Sequence, residues 1–188
     1  MFPSTHCRMC VISLAGILDH PCRAVGALDM RAAVTTASTT ASGTTPAGAK
    51  DGDRFSVAPA GCWRGADRSE SWWWQVEFPE PQVVSAVLQV NGDQPTVLAH
   101  APRRYVWQWS ADGRTWSDLK ETATQDERRL FRLHRWEEPC RARYLRIVIH
   151  QATGAAPVLR EVEVYTDPSQ VSFPDWIIAV STTTENQN

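Results

Sequence analysis

The chain's reactive residue types are not spaced for catalysis. No G-x-S-x-G elbow, glycine-rich phosphate loop or H-E-x-x-H pair occurs. Glu161 and Glu163 stand two apart, so a strand would carry both on one face, but two glutamates alone are a weak sign of glycoside hydrolysis. No enzymatic role is expected of this domain. Asp51-Gly52-Asp53 suits different chemistry. A hard cation takes six to eight oxygens, many from backbone carbonyls, and a tight glycine turn points carbonyls inward. A plain Asx turn would explain the same three residues. Cys7-x-x-Cys10, followed by His20 and Cys22, has the two-residue spacing that lets two thiolates reach one zinc. No second pair follows at finger spacing, so the group reads as an incidental cluster.

Composition narrows the classes further. The chain has 188 residues, 43% hydrophobic and 21% charged, an ordinary globular balance that can supply a normal core. Its formal net charge is -2, from 19 basic and 21 acidic residues. A general polyanion binder usually shows a basic excess, so nucleic acid is not an expected partner. No apolar run reaches the ~18 residues of a transmembrane helix. The five cysteines cannot all pair within one chain, although Cys62 and Cys140 could do so in an oxidising compartment. Of nine tryptophans, seven fall from Trp63 to Trp116.

The elements that must position these residues are strands. Trp72, Trp74, Val76 and Phe78 share one face of a period-two run, and Trp73, Gln75 and Glu77 the other. Val83–Val90 is rich in β-branched residues and ends at the turn signal Asn91-Gly92. Tyr105, Trp107 and Trp109 alternate with Val106, Gln108 and Ser110, before a second turn at Asp112-Gly113. Leu145, Ile147 and Ile149 form one stripe, and Val162 and Val164 oppose Glu161 and Glu163. Helical periodicity is absent, which indicates an all-β sandwich or barrel. Residues 35–49 read as an edge strand and loop, or as a linker. Residues 1–27 read as a leader, either a cleaved secretory signal or a mis-assigned start. The domain is expected over residues 28–168. Residues 169–188 form a tail whose run Trp176–Val180 suits either a terminal strand of the sandwich or the opening of a truncated further domain.

Five segments in order carry a resemblance. They are Asp51-Gly52-Asp53, Trp72-Trp73-Trp74-Gln75-Val76-Glu77-Phe78, Ser110-Ala111-Asp112-Gly113-Arg114-Thr115-Trp116, Ala142-Arg143-Tyr144-Leu145-Arg146-Ile147, and Leu159-Arg160-Glu161-Val162-Glu163-Val164-Tyr165. Together they resemble the discoidin domain, or coagulation factor V/VIII type C domain, a galactose-binding-domain-like group that includes family 32 carbohydrate-binding modules. The resemblance spans about residues 30–166. It implies an eight-stranded jelly-roll β-sandwich whose loops at one end bind a ligand without catalysis. Such a module would be secreted, periplasmic or on the cell surface.

The resemblance also implies sites. A structural calcium would take the Asp51 carboxylate, the Gly48 and Asp53 carbonyls, an oxygen of Ser56, the Arg160 carbonyl and the Glu161 carboxylate. The loop that follows Asp53 is longer here than the commonest family pattern. The ligand loops would be about Val57–Ser71 and Asn91–Arg103, holding Asp67, Arg68, Asn91, Asp93 and Gln94 among others. Sugar recognition needs an apolar platform for the ring and planar donors for adjacent hydroxyls. Trp63 with Arg64, and His100 with Arg103 and Arg104, are the candidates. Galactose-binding relatives carry an arginine where this chain has Gly92-Asp93, so no particular sugar follows. Carbohydrate or a glycoconjugate is the expected partner. Protein or phospholipid adhesion is the alternative, and an accessory role in a larger, truncated enzyme is another.

Overall fold

A computed structural model describes residues 26–67, 70–92, 99–119, 122–123 and 130–173. The N-terminal cysteine cluster, Arg68, Asp93, Gln94 and the run Trp176–Val180 lie outside the described residues. Eight strands form one hydrogen-bonded sheet: β1 Val34–Ala37, β2 Trp63–Arg64, β3 Trp72–Asn91, β4 Pro102–Ser110, β5 Ser117–Asp118, β6 Thr122–Ala123, β7 Phe131–Ala152 and β8 Val158–Tyr165. The order is β2-β8-β3-β7-β4-β5, with β1 added to β3 and β6 to β4, and every pairing is antiparallel.

The two runs read separately as Trp72–Phe78 and Val83–Val90 are one strand, β3. Its register against β7 shifts between Glu77 and Gln82, across Pro79 and Pro81. Proline has no N–H for a ladder, so pairing lapses there and the strand can bend. One half of β3 pairs with β1 and the end of β7, and the other half pairs with β8 and the start of β7. Both halves feed one core. Trp74, Val76 and Phe78 meet Val84 and Val87, joined by Leu145, Ile147, Ile149, Val162 and Val164. The expected faces hold: Trp72 and Trp74 are buried, whereas Trp73, Gln75 and Glu77 are half-buried. β1 is an edge strand that overlaps the start of the 35–49 stretch read as edge strand and loop or as linker.

The core also holds polar groups with partners. The Trp107 indole N–H donates to Gln89 Oε1 at 3.2 Å, and Gln89 Nε2 donates to Asn91 Oδ1 at 2.5 Å. Tyr105 Oη lies 3.3 Å from His134 Nε2. Cys62 and Cys140 are both buried, and the Cys62 thiol lies 3.3 Å from the Pro59 carbonyl. Burial pushes the Cys140 thiol up to about 11.

Trp116 is half-buried on the outer face, 3.8 Å beneath the Arg146 guanidinium, which Gln108 Oε1 holds at 2.6 Å from Nε. Arg143 donates to Glu77 and to the Pro79 carbonyl, a carboxylate and a loop oxygen. The Asp112-Gly113 turn needs its glycine, at φ 72. Asp112 Oδ1 accepts from the amides of Arg114 and Thr115. These bonds stabilise the anion and draw the Asp112 pKa down to about 2.

β8 departs most from expectation. All eight of its residues are buried, so the face bearing Glu161 and Glu163 is covered as fully as the valine face. Ala86, Leu88 and Tyr165 form a second apolar cluster there, packed by Ala27, Phe131, Leu133, Val171 and Phe173.

Candidate functional site

One end of the sandwich gathers the chain around β2, the start of β8 and the segment before β4. The short strand β2 sets Arg64 opposite Val158. The Val158 amide donates to the His100 carbonyl at 2.8 Å, and Gly65 N donates to Pro157 O at 3.0 Å. Arg64 and His100, distant in sequence, are therefore tied to the same stretch of backbone. Arg64 is half-buried, and its Nη2 pairs with Asp67 Oδ1 at 3.0 Å.

His100 is fixed in one tautomer. Its Nδ1 lies 3.0 Å from the Ala156 carbonyl. A carbonyl only accepts, so Nδ1 carries a proton, and in the neutral ring Nε2 then presents a lone pair. The neighbouring loop packs on this ring because Gly154 lacks a side chain. A Cβ at Gly154 would stand 2.5 Å from His100 Nδ1 and 2.6 Å from the Ala99 carbonyl. Thr153 Oγ1 accepts from the Ala101 amide at 3.0 Å, closing the loop onto the start of β4. Sequence reasoning passed over this 153–156 loop. Its only signal is a run of small residues around Gly154.

The other candidates are placed differently. Trp63 is fully buried, with its indole N–H donating to the Thr39 carbonyl at 3.0 Å. This corrects the expectation of a stacking platform, because a ring with no exposed face cannot meet a sugar. Asn91 is also fully buried. Arg103 is half-buried and Arg104 exposed. The register of β4 against β7 shifts on both sides of Arg104, and Arg103 has no partner in that ladder, so regular strand alternation does not govern this pair.

A second constellation lies where residues 51–55 cross β8. Asp51 Oδ1 accepts from the Asp53 amide at 2.8 Å, and Asp53 Oδ1 accepts from the Phe55 amide at 2.9 Å. Two successive Asx turns thus fold the loop. Gly52, at φ 89, turns its amide onto Glu161 Oε2 at 3.2 Å. Ser56 and Asp51 both crowd the α-carbon of Gly61: a Cβ there would lie 2.4 Å from Ser56 Oγ and 3.3 Å from Asp51 Oδ2. Among the described residues, no group of three or more His, Cys, Asp and Glu side chains could hold a metal.

The electrostatics suit a cation. Burial raises the Glu161 pKa well above the ordinary carboxylate range, with further contributions from Asp51 and Glu163. Burial also raises that of Asp51, and Arg160 offsets the effect only in part. Glu161 is buried while Asp51 beside it lies on the exposed loop, and a buried carboxylate takes up a proton unless a cation replaces it. Two carboxylates with the Ser56 hydroxyl near Asp51 are oxygen donors of the kind a hard cation such as calcium takes.

Comparisons with known proteins agree with this architecture. The family model of the F5/8 type C domain matches residues 33–163. No curated protein matches the chain. Among solved structures, the family 32 carbohydrate-binding module of C. perfringens NanJ, in complex with galactose, is 15% identical, with a TM-score of 0.64 over 74% of this chain and 97% of that one. CpGH89CBM32-5 of Clostridium perfringens, in complex with GalNAc-beta-1,3-galactose, is 13% identical, with a TM-score of 0.62 over 74% and 99%. Chitosan-binding module 1 from a chitosanase/glucanase of Paenibacillus sp. IK-5 is 21% identical, with a TM-score of 0.58 over 78% and 99%. At these identities the likeness is one of fold.

Proposed function

The chain belongs to the F5/8 type C domain family, and from that premise we propose that it is a non-catalytic carbohydrate-binding module acting outside the cell or at its surface. The observation that carries the reading is the convergence of Arg64, Asp67 and His100 on one end of a rigid sandwich, with His100 Nε2 fixed as an acceptor. A sugar hydroxyl would donate to that lone pair. The Arg64 guanidinium would donate to a neighbouring hydroxyl, and Asp67 orients it. The galactose and GalNAc-galactose complexes of the structural neighbours support the ligand class. A shallow polar site of this kind binds modestly, so the module would act by tethering or by avidity.

Calcium would be held by the Asp51 and Glu161 carboxylates, with oxygens of Gly48, Asp53, Ser56 and Arg160. The ion would supply the positive charge that the carboxylate pair lacks. Its role would be structural, tying the 51–55 loop to β8.

The test is a glycan array probed with the full chain, with calcium and with a chelator. Specific binding lost in Arg64→Ala and His100→Ala, both still folded, is the expected result. A folded, calcium-treated protein that binds no glycan overturns the proposal. Salt-sensitive binding to anionic vesicles would then favour the adhesion reading.

A further inference from the structure

The face of β8 that carries Glu161 also carries Glu163, and Glu163 belongs to a buried knot of three chain segments. Arg54 donates from Nε to Glu163 Oε1 at 2.6 Å and from Nη2 to Glu163 Oε2 at 2.5 Å. The same Nη2 lies 3.2 Å from Tyr165 Oη, and Tyr165 in turn donates to Glu163. The remaining arm, Nη1, donates to the Ser172 carbonyl at 2.8 Å. Arg54 and Glu163 are each 4% exposed.

The residue after Arg54 continues the connection in apolar terms. Phe55 meets Phe131 edge-on at 6.2 Å, and Phe131 meets Phe173 at 6.0 Å. Val171 and Phe173 cover Ala86, Leu88 and Tyr165. A 3-10 turn, Pro168–Gln170, aims the segment back at the sheet, its first turn capped by Asp167 Oδ1 on the Ser169 amide at 2.9 Å. The chain therefore does not leave the sandwich at the end of β8. It doubles back as a strap, and the residues that fasten the strap are the next two after Asp53.

A buried ion pair alone is weak evidence for stability, since apolar replacements often do as well. The distinctive feature is what Arg54 joins. Its guanidinium bonds a strand and the strap, while its backbone is continuous with the turn that places Asp51 beside Glu161. Fixing Asp51 against Glu161 fixes the start of a five-residue loop whose fourth and fifth members clamp the strap. Undocking the strap removes the Ser172 oxygen from Arg54 and the Phe173 ring from the Phe55–Phe131 stack.

We propose that the strap Pro168–Phe173 and the cation site at Asp51 and Glu161 are thermodynamically coupled through Arg54 and Phe55. Calcium tightens strap docking, and a docked strap tightens calcium. The inference rests on the calcium reading above. Coupling between sites is reciprocal by linkage, so either partner can be used to observe it.

The experiment is hydrogen exchange on the full chain, with calcium chloride and with a chelator, alongside calorimetric titration of the ion. Calcium is expected to slow exchange at residues 168–173 by ~5-fold or more, the lower end of typical coupling factors. Exchange in the 152–157 loop, at the ligand end, is expected to stay the same. Phe173→Ala, which touches no proposed ligand of the ion, is expected to weaken calcium binding by a similar ~5-fold. Calcium that binds while strap exchange stays equal in both states overturns the coupling and leaves the metal reading standing. So does an unchanged calcium affinity in folded Phe173→Ala. A chain that binds no calcium overturns both. If Phe173→Ala does not fold, the wild-type exchange comparison decides alone.

Discussion

The crossing of residues 51–55 over β8 and the end that carries Arg64 and His100 are built on opposite principles. At the crossing, charged groups are buried and held by fixed partners: Glu161 by the Gly52 amide, Glu163 by Arg54 and Tyr165. At the end proposed to bind ligand, Arg64 and His100 are half-buried, with Asp67 and the Ala156 carbonyl as partners. Buried groups of the first kind are costly to leave unpaired, so they constrain the fold. Half-exposed groups of the second kind retain free hydrogen-bonding capacity, which a ligand can use. The difference separates what holds the domain together from what would give it specificity under the proposed reading.

The largest test of that division is Trp63, which belongs to the framework although it adjoins the ligand end. Trp63→Ala deletes a fully buried indole and leaves the Thr39 carbonyl without its donor. A loss of about 3–5 kcal/mol is expected by chemical denaturation. A stable Trp63→Ala protein that no longer binds glycan would return the residue to the site and erase the division.

Calcium comes next. An ion that binds only the folded chain adds about 2.7 kcal/mol at a hundred times its Kd. A calcium-dependent rise in Tm is expected for the native chain and for His100→Ala alike. Glu161→Gln should abolish the rise, because it removes one of the two carboxylates. A rise that survives Glu161→Gln would place the ion elsewhere.

Acid provides a smaller effect within the framework. Burial, aided by the Arg132 charge, lowers the His134 pKa to about 3. The folded chain then binds fewer protons at this site than the unfolded chain does below its ordinary value of about 6.5. The contribution is fully present above about pH 6.5 and is lost as pH falls toward about 3, by at most ~1.4 kcal/mol per pH unit. His134→Phe should flatten that part of the stability profile, with denaturation midpoints measured between pH 7 and 4. An unchanged slope would show that other groups carry the acid sensitivity.

Much of the framework was legible in the sequence because local rules dictate it. Alternation in Trp72–Phe78 and Leu145–Ile149 set the inner faces, and Gly113 marked a turn that only positive φ can make. What stayed hidden depends on residues far apart. Trp63 is buried because the two-residue strand β2 pairs with β8, and no periodicity can show itself over two residues. The glutamate face of β8 has the alternation of a solvent face. It is buried because Arg54 and Phe173, on either side of it in sequence, both fold over it. The partnership of His100 with Ala156 and Gly154 is equally non-local, so the residue type was readable and its tautomer was not.

The smallest expected effect on stability is also the most informative about function. His100→Ala removes a half-buried ring whose hydrogen bond goes to a carbonyl that water can also satisfy, so stability should change by no more than ~0.5–1 kcal/mol. Its effect on ligand binding should be far larger in proportion. Nε2 is the acceptor that the fixed tautomer leaves open, and a hydroxyl donated to it would find no replacement in alanine. His100→Gln makes the comparison sharper, because its side-chain oxygen can still accept while the aromatic ring is gone. If acceptance is what counts, glycan affinity on the array's strongest hit should fall about tenfold or more in His100→Ala and recover in part in His100→Gln. Equal loss in both would assign the contribution to the ring. Loss of glycan binding in neither would leave Arg64 and Asp67 as the only part of this end still able to carry the site.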